Sequence, residues 1–247
     1  EGRILLVRGR LPCFIKYRFY SMRTLFFLIL LIGGIKMNAQ NSQKEPTIYY
    51  VGDPMCSWCY GFTKEWSLFV EAHPNAKYTY LMGGLRPDGT ESMASLKDFL
   101  TEHWHEINLR TGMEFKFDIL QNDMVYNTEP ACRAVASVKA LFPGHTLSFF
   151  QRVQKSFYLY NNNPYATATY KSIVADLGLD ADAFETKFLS ADGRRLVLQD
   201  FQKARELGAN GFPTVLVKWG DQYYTLTRGY ASAQDLTLRL KSIMSKS

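Results

Sequence analysis

Cysteine is scarce in this chain. Four of its 247 residues are Cys, too few for the paired framework that staples a small extracellular scaffold. There is one CxxC and no second, and no His pair stands near it, so a closed zinc site lacks half its ligands. The residue after that CxxC is Tyr60, where covalent haem attachment needs His. Gly83-Gly84 has neither the further glycines nor the Lys-Ser/Thr pair of a phosphate loop, and reads as the stop of a strand. No apolar run approaches the roughly 18 residues of a membrane-spanning helix. There is no internal repeat, no low-complexity segment and no dense Lys/Arg stripe. The net charge of +6 is confined to one end. Residues 1–40 hold Arg3, Arg8, Arg10, Lys16, Arg18, Arg23 and Lys36 against Glu1 alone, which leaves 22 basic and 22 acidic residues elsewhere. A neutral body offers no electrostatic footprint for nucleic acid.

What the chain does have is an apolar fraction of 47%, enough for a substantial core. Residues 1–40 read as a leader. Met22-Arg23 precedes an apolar run of 11 residues, Leu25 to Ile35, and Met37-Asn38-Ala39 stands before Gln40. This is the layout of a signal peptide over about residues 22–39, with residues 1–21 not native to it. The expectation is export, to the periplasm, with a membrane anchor only if the leader is retained.

Periodicity predicts an α/β chain. Ile48–Val51 reads as a strand closed by Asp53-Pro54, followed by a helix from the CxxC to about Ala72 and a second strand at Tyr78–Met82. Helical spacing then dominates. Met93, Leu96, Leu100, Trp104 and Ile107 share one face; Cys132, Val135, Ala136 and Ala140 another, with Asn127 or Thr128 as N-cap and Pro130 in the first turn. Phe150, Val153 and Phe157 repeat the pattern, as do Ala166, Tyr170, Ile173, Val174 and Leu177. A further helix runs from about Arg194 to Leu207 and stops at Gly208. Thr214–Lys218 and Tyr223–Thr227 flank Gly220-Asp221 as a hairpin, and Ser232 with Asp235 opens a last helix. The order is βαβ, helices, ββα. Residues 47–86 and 205–247 are expected to form one α/β domain and residues 87–204 a helical insertion.

Cys56-Ser57-Trp58-Cys59 lies where the first strand feeds a helix. Two thiols one turn apart at a helix N-terminus suit thiol–disulfide exchange: the first is held as a nucleophilic thiolate and the second closes the disulfide that releases a mixed-disulfide intermediate. Gly211-Phe212-Pro213-Thr214 precedes the third strand, a place that tolerates Pro. Together the two blocks resemble the thioredoxin fold, and the helical insertion resembles its DsbA branch. Asp53-Pro54-Met55-Cys56-Ser57-Trp58-Cys59-Tyr60-Gly61-Phe62 and Glu129-Pro130-Ala131-Cys132-Arg133-Ala134 are similar to the DsbA-family group described as predicted protein-disulfide isomerases. The resemblance spans about residues 47–245.

It implies a thioredoxin-like fold with an inserted helical subdomain. It implies Cys56 as attacking thiolate, Cys59 as buried resolving thiol and Pro213 in cis, with the Phe212 backbone, Ser57, Trp58 and Thr214 on the substrate side. Trp58 is expected to be exposed as part of an apolar docking surface. The substrates implied are protein cysteines, served by a thiol redox partner; the redox-active disulfide is the only redox group, with no metal or other cofactor. Relatives place a buried carboxylate six residues before the nucleophile, where this chain has Tyr50. Asp53 is a substitute for it or, as the simpler reading, a turn residue. Cys132 reads as an inert core thiol, and His103 and His105, two apart on a helix and so unable to share one metal, as solvent or boundary residues. Two other classes stay open. One is a glutathione-linked isomerase or kappa-type transferase of the same fold, against which the second cysteine argues. The other is a peptide-binding module whose CxxC is a structural disulfide.

Overall fold

The computed structural model describes residues 45–245; the expected leader lies outside the described residues. The chain runs β1 (Thr47–Gly52), α1 (Ser57–Gly61), α2 (Thr63–Ala72), β2 (Lys77–Met82), α3 (Lys97–Thr111), α4 (Glu129–Leu141), α5 (Thr146–Tyr158), α6 (Thr167–Asp176), α7 (Ala181–Leu189), α8 (Ala191–Glu206), β3 (Thr214–Trp219), β4 (Gln222–Arg228) and α9 (Ala233–Met244). The strands form one sheet in the order β2-β1-β3-β4. β1 pairs parallel with β2 and antiparallel with β3, and β3 and β4 form the expected hairpin around Gly220-Asp221.

The two-residue period of the strands sorts their side chains onto two buried faces. Ile48 and Tyr50 of β1 lie opposite Val217 and Val215 of β3, and this face joins the main core under α1, α2, α5 and α9. Val51, Leu81 and Leu216 point the other way, onto Ala204 and Ala209 at the end of α8. Tyr50 packs among aromatic rings, 4.9 Å from Trp66, 5.6 Å from Phe150 and 5.9 Å from Tyr80 by centroid.

Three boundaries and one whole helix differ from expectation. The helix after the CxxC is interrupted at Phe62, which caps both α1 and α2. The Thr63 hydroxyl shares its one proton between the Cys59 carbonyl at 3.3 Å and the Gln154 side-chain amide at 2.9 Å. Back-bonding of this kind competes with the helical ladder and bends it. Met93 precedes α3 rather than lying on it; its N–H is held by the Met124 carbonyl at 2.8 Å. Helix α7 was not anticipated. Its signals are the Asp180 N-cap, which accepts from Asp182 N and Ala183 N, and the buried pair Phe184 and Phe188 one turn apart. Helix α8 starts earlier than expected, capped by Ser190, whose side chain accepts from Gly193 N.

Strand β2 is an edge, and its outer side is held by a charge pair. Asp200 of α8 accepts from Met82 N at 3.2 Å, and Lys139 of α4 donates to both Asp200 oxygens at 2.5 and 2.6 Å and to the Tyr80 carbonyl at 3.1 Å. Asp200 is nearly buried, so removing its partner strands a charge there. Lys139→Met is expected to lower unfolding stability by about 2 kcal/mol, and Lys139→Met with Asp200→Leu to recover about half of that. Urea unfolding of the two variants checks both values.

Candidate active site

Strand β1 ends at Gly52 and the chain turns through Asp53-Pro54-Met55 into α1, with Cys56 at its N-cap. That position leaves first-turn N–H groups without helical partners next to the cysteine. Across the sheet end, the Phe212–Pro213 peptide bond is cis. The Cys56 thiol donates to the Phe212 carbonyl at 3.6 Å, across 156 residues of chain. Cys56 keeps 5% of its surface exposed, whereas Cys59 has none. All three described cysteines are free thiols. Burial pushes the Cys59 thiol well above the ordinary cysteine range, with further upward pressure from Cys56 and from the charge of Asp53. The Tyr50 hydroxyl faces Cys59; burial raises Tyr50 well above the usual phenol range, and Cys59 adds to that.

Asp53 corrects the simpler sequence reading. It does make a turn, its Oδ1 accepting from Met55 N at 2.8 Å, but it is also wholly buried. Its Oδ2 accepts from Leu85 N at 2.7 Å and from the Cys132 thiol at 3.3 Å, and the Thr128 hydroxyl bonds to the same carboxylate. Burial raises the Asp53 carboxyl above the ordinary range, and these donors partly offset the rise. Cys132 is buried, as expected, yet it is a hydrogen-bond donor beneath the site rather than inert filler; burial first, then Asp53, push its thiol well up.

A cavity of about 310 Å3 opens above Cys56. Its walls are Ser57 and Trp58 of α1, Leu85 and Arg86 after β2, Leu96, Phe99, Leu100 and His103 on or before α3, Tyr126, and Phe212. The Tyr126 hydroxyl donates to the Met55 carbonyl and so ties this wall to the turn before Cys56. Gly83 is required here: a Cβ on it would sit 2.1 Å from the Phe212 ring.

Of the residues singled out from sequence, Cys56, Ser57, Trp58 and Phe212 meet at this cavity, with Pro213 adjoining. Trp58 is half-buried rather than exposed, because His103 packs edge-to-face on its ring at 5.9 Å and Arg110 lies 5.7 Å from its centroid. Thr214 does not face the cavity: it is buried, and its hydroxyl donates to the Gly211 carbonyl at 2.7 Å. His103, expected at the solvent boundary, is half-buried there as a cavity wall. Sequence reasoning also missed Arg86, Phe99 and Tyr126. The available signal was Phe99 and His103 at i,i+4, whose rings stack at 5.8 Å on a face with no core stripe. Among the described residues no cluster of three or more His, Cys, Asp or Glu is placed to hold a metal ion.

Residues 47–241 match the DSBA-like thioredoxin domain family. A solved structure of a candidate protein disulfide isomerase from Nitrosomonas europaea is similar at 30% identity and a TM-score of 0.76, covering 82% of this chain and 98% of that one. The cytosolic disulfide reductase DsbM from Pseudomonas aeruginosa shares the fold at 23% identity and a TM-score of 0.69, over 81% of this chain and 100% of its own. A 2-hydroxychromene-2-carboxylate isomerase shares it at 15% identity and a TM-score of 0.54, over 81% and 95%. No curated protein matches by sequence. The expectation of a periplasmic location is overturned here: a cytosolic reductase has this fold, so the fold does not require export. Its helices, its sheet and the cysteines at the strand–helix turn thus have one explanation in common: the chain belongs to the DSBA-like thioredoxin-domain family and, with it, to the thiol–disulfide oxidoreductases and isomerases.

Proposed function

We propose that this protein exchanges disulfides with protein cysteines through Cys56 and Cys59. The observation that carries the reading is the unequal access of the pair: Cys56 lines an open cavity against a backbone carbonyl, and Cys59 is sealed. In the reductive direction the Cys56 thiolate attacks one sulfur of a substrate disulfide. That S–S bond breaks, a Cys56–substrate disulfide forms, and the departing sulfur leaves as a thiolate and takes a proton. Cys59 then gives up its proton and attacks Cys56 Sγ, which forms the Cys56–Cys59 disulfide and releases the second substrate thiolate. Two electrons have passed to the substrate, and a thiol redox partner returns them; run backwards, the same steps oxidise a substrate dithiol. Burial holds Cys59 protonated until a partner is bound to Cys56, which delays its attack. Asp53 lies close enough to Cys59 for its charge to act on that step. In this reading residues 47–86 and 205–247 carry the chemistry, and the inserted helices, residues 87–204, wall the cavity.

Equilibration with glutathione buffers, followed by thiol alkylation, tests the proposal. A reversible potential near about −120 mV marks a disulfide donor and one near about −270 mV a reductant; a pair that does not exchange rejects the reading. At neutral pH iodoacetamide is expected to modify Cys56 and spare Cys59 and Cys132 in the native protein, and mass spectrometry identifies the site. Cys56→Ala is expected to lower exchange about 100-fold or more, while Cys59→Ala accumulates the mixed disulfide on Cys56 and Cys132→Ser still turns over. Loss of exchange in Cys132→Ser with retention in Cys56→Ala reverses the assignment.

Asp53 sets a pH dependence of stability. Its carboxyl is raised in the folded protein, so the folded state holds the proton more tightly than the unfolded chain does. The stability due to this group is complete below the unfolded carboxylate pKa of about 4 and is lost as pH rises through the folded value. Asp53→Asn lacks that titration. Urea unfolding from about pH 3.5 to pH 7 is expected to show the wild type losing ground to the variant as pH rises; parallel curves refute it.

A further inference from the structure

Three arginines approach the surface around Cys56, and their charges are not handled alike. Arg86 forms an ion pair with Glu91 and lies 5.5 Å from the Tyr126 ring centroid. Arg110, in the last turn of α3, stands between two aromatic rings, 5.7 Å from Trp58 and 5.6 Å from Tyr230. Among the described residues no carboxylate pairs with it. Glu65, the acid whose charge reaches Tyr230, is occupied, its Oε2 accepting from Ala233 N at 2.8 Å. Arg228, at the end of β4, donates to the Gly208 carbonyl at 2.5 Å, and no acidic group among the described residues pairs with it either. Both arginines line a cleft of about 280 Å3 with Trp58, Phe212, Gly229 and Tyr230.

This cleft shares Trp58 and Phe212 with the cavity above Cys56. A compound whose sulfur reaches Cys56 therefore has two directions in which to extend: into the largely apolar cavity, or past Trp58 toward the arginines. Rings beside a guanidinium limit its motion without consuming its N–H donors. Arg228 is fixed instead by the Gly208 carbonyl; two fixed guanidinium groups with no carboxylate beside them among the described residues are the arrangement that recognises a carboxylate.

We infer that the Arg110–Arg228 cleft is an anion subsite that takes a carboxylate of the thiol or disulfide compound reacting at Cys56, an inference that rests on the exchange activity proposed above. The carboxylate comes from one of two sources: the free terminus of a small thiol peptide, or an Asp or Glu side chain close to the cysteine of a protein. Attraction at this exposed site is screened by salt, so the preference is largest at low ionic strength.

The test compares exchange with glutathione disulfide, which is anionic, and with neutral 2-hydroxyethyl disulfide. The readout is the ratio of their kcat/KM values, which cancels any general effect of a substitution on Cys56. Arg110→Gln and Arg228→Gln are each expected to lower the anionic-to-neutral ratio about fivefold, and the double variant further. Arg110→Lys restores part of the ratio, about 0.5 M salt abolishes the preference in the wild type, and Arg195→Gln on α8 leaves the ratio unchanged. An unaltered ratio in the double variant, or a wild type without preference, overturns the subsite. Cysteine peptides with blocked termini and Asp or Ser beside the cysteine separate the sources: an Asp preference lost in the double variant assigns a protein acid, and its absence beside a glutathione preference assigns a terminal carboxylate. S-methylglutathione, which cannot exchange, is measured by calorimetry. Weaker binding to the double variant with an inert Cys56 overturns exchange and leaves the subsite; equal binding overturns the subsite.

Discussion

The antiparallel pairing of β1 with β3 is the constraint on which the site depends. Tyr50 lies opposite Val215 and Val51 opposite Thr214, so the turn that leaves β1 and the loop that enters β3 emerge at the same end of the sheet. One carries Cys56 and the other Phe212, and the sulfur meets the carbonyl there. A slip of one residue would turn Ile48 and Tyr50 off the main core, so burial on both sheet faces guards the register that sets this contact. The six helices between β2 and β3 do not disturb it, because the entropy of closing a longer connection grows only slowly with its length.

Around that contact the fold distributes access and charge. Cys56 has an opening and Cys59 has none, a difference made by packing, since the two thiols are chemically identical. Asp53 binds together three segments that share no sequence neighbourhood: its own turn through Met55 N, the loop after β2 through Leu85 N, and α4 through Thr128 and Cys132. A carboxylate with that many donors can stay buried; stripped of them it would not. The arginines beyond Trp58 follow a different logic: Arg110 is held by rings and Arg228 by a backbone carbonyl, and among the described residues neither has an acid beside it.

Much of this was legible in the chain. All four strands were visible as β-branched and aromatic runs, and each extends one or two residues beyond the sequence reading. The CxxC and the Gly-Phe-Pro-Thr block identified the two halves of the site because each needs particular residue types at short spacing. The helix break at Phe62 was not legible, since its partner Gln154 lies 91 residues from Thr63. Helix α7 was missed because it is short and its cap and two phenylalanines fell between stronger patterns. Trp58 was read as exposed and Thr214 as substrate-facing because neither His103 nor the Gly211 carbonyl announces its position locally.

By itself the sequence determined the element order, the alternation of buried side chains along the strands, and the identity of the two thiols, since these rest on local periodicity and on chemistry carried within four residues. Only the tertiary structure decided that Asp53 is a buried carboxylate rather than a mere turn residue, which wall faces Cys56, and which arginines lack an acidic partner among the described residues. Each of those depends on groups brought together from distant parts of the chain, and burial, screening and hydrogen bonding act through distance in space rather than separation in sequence.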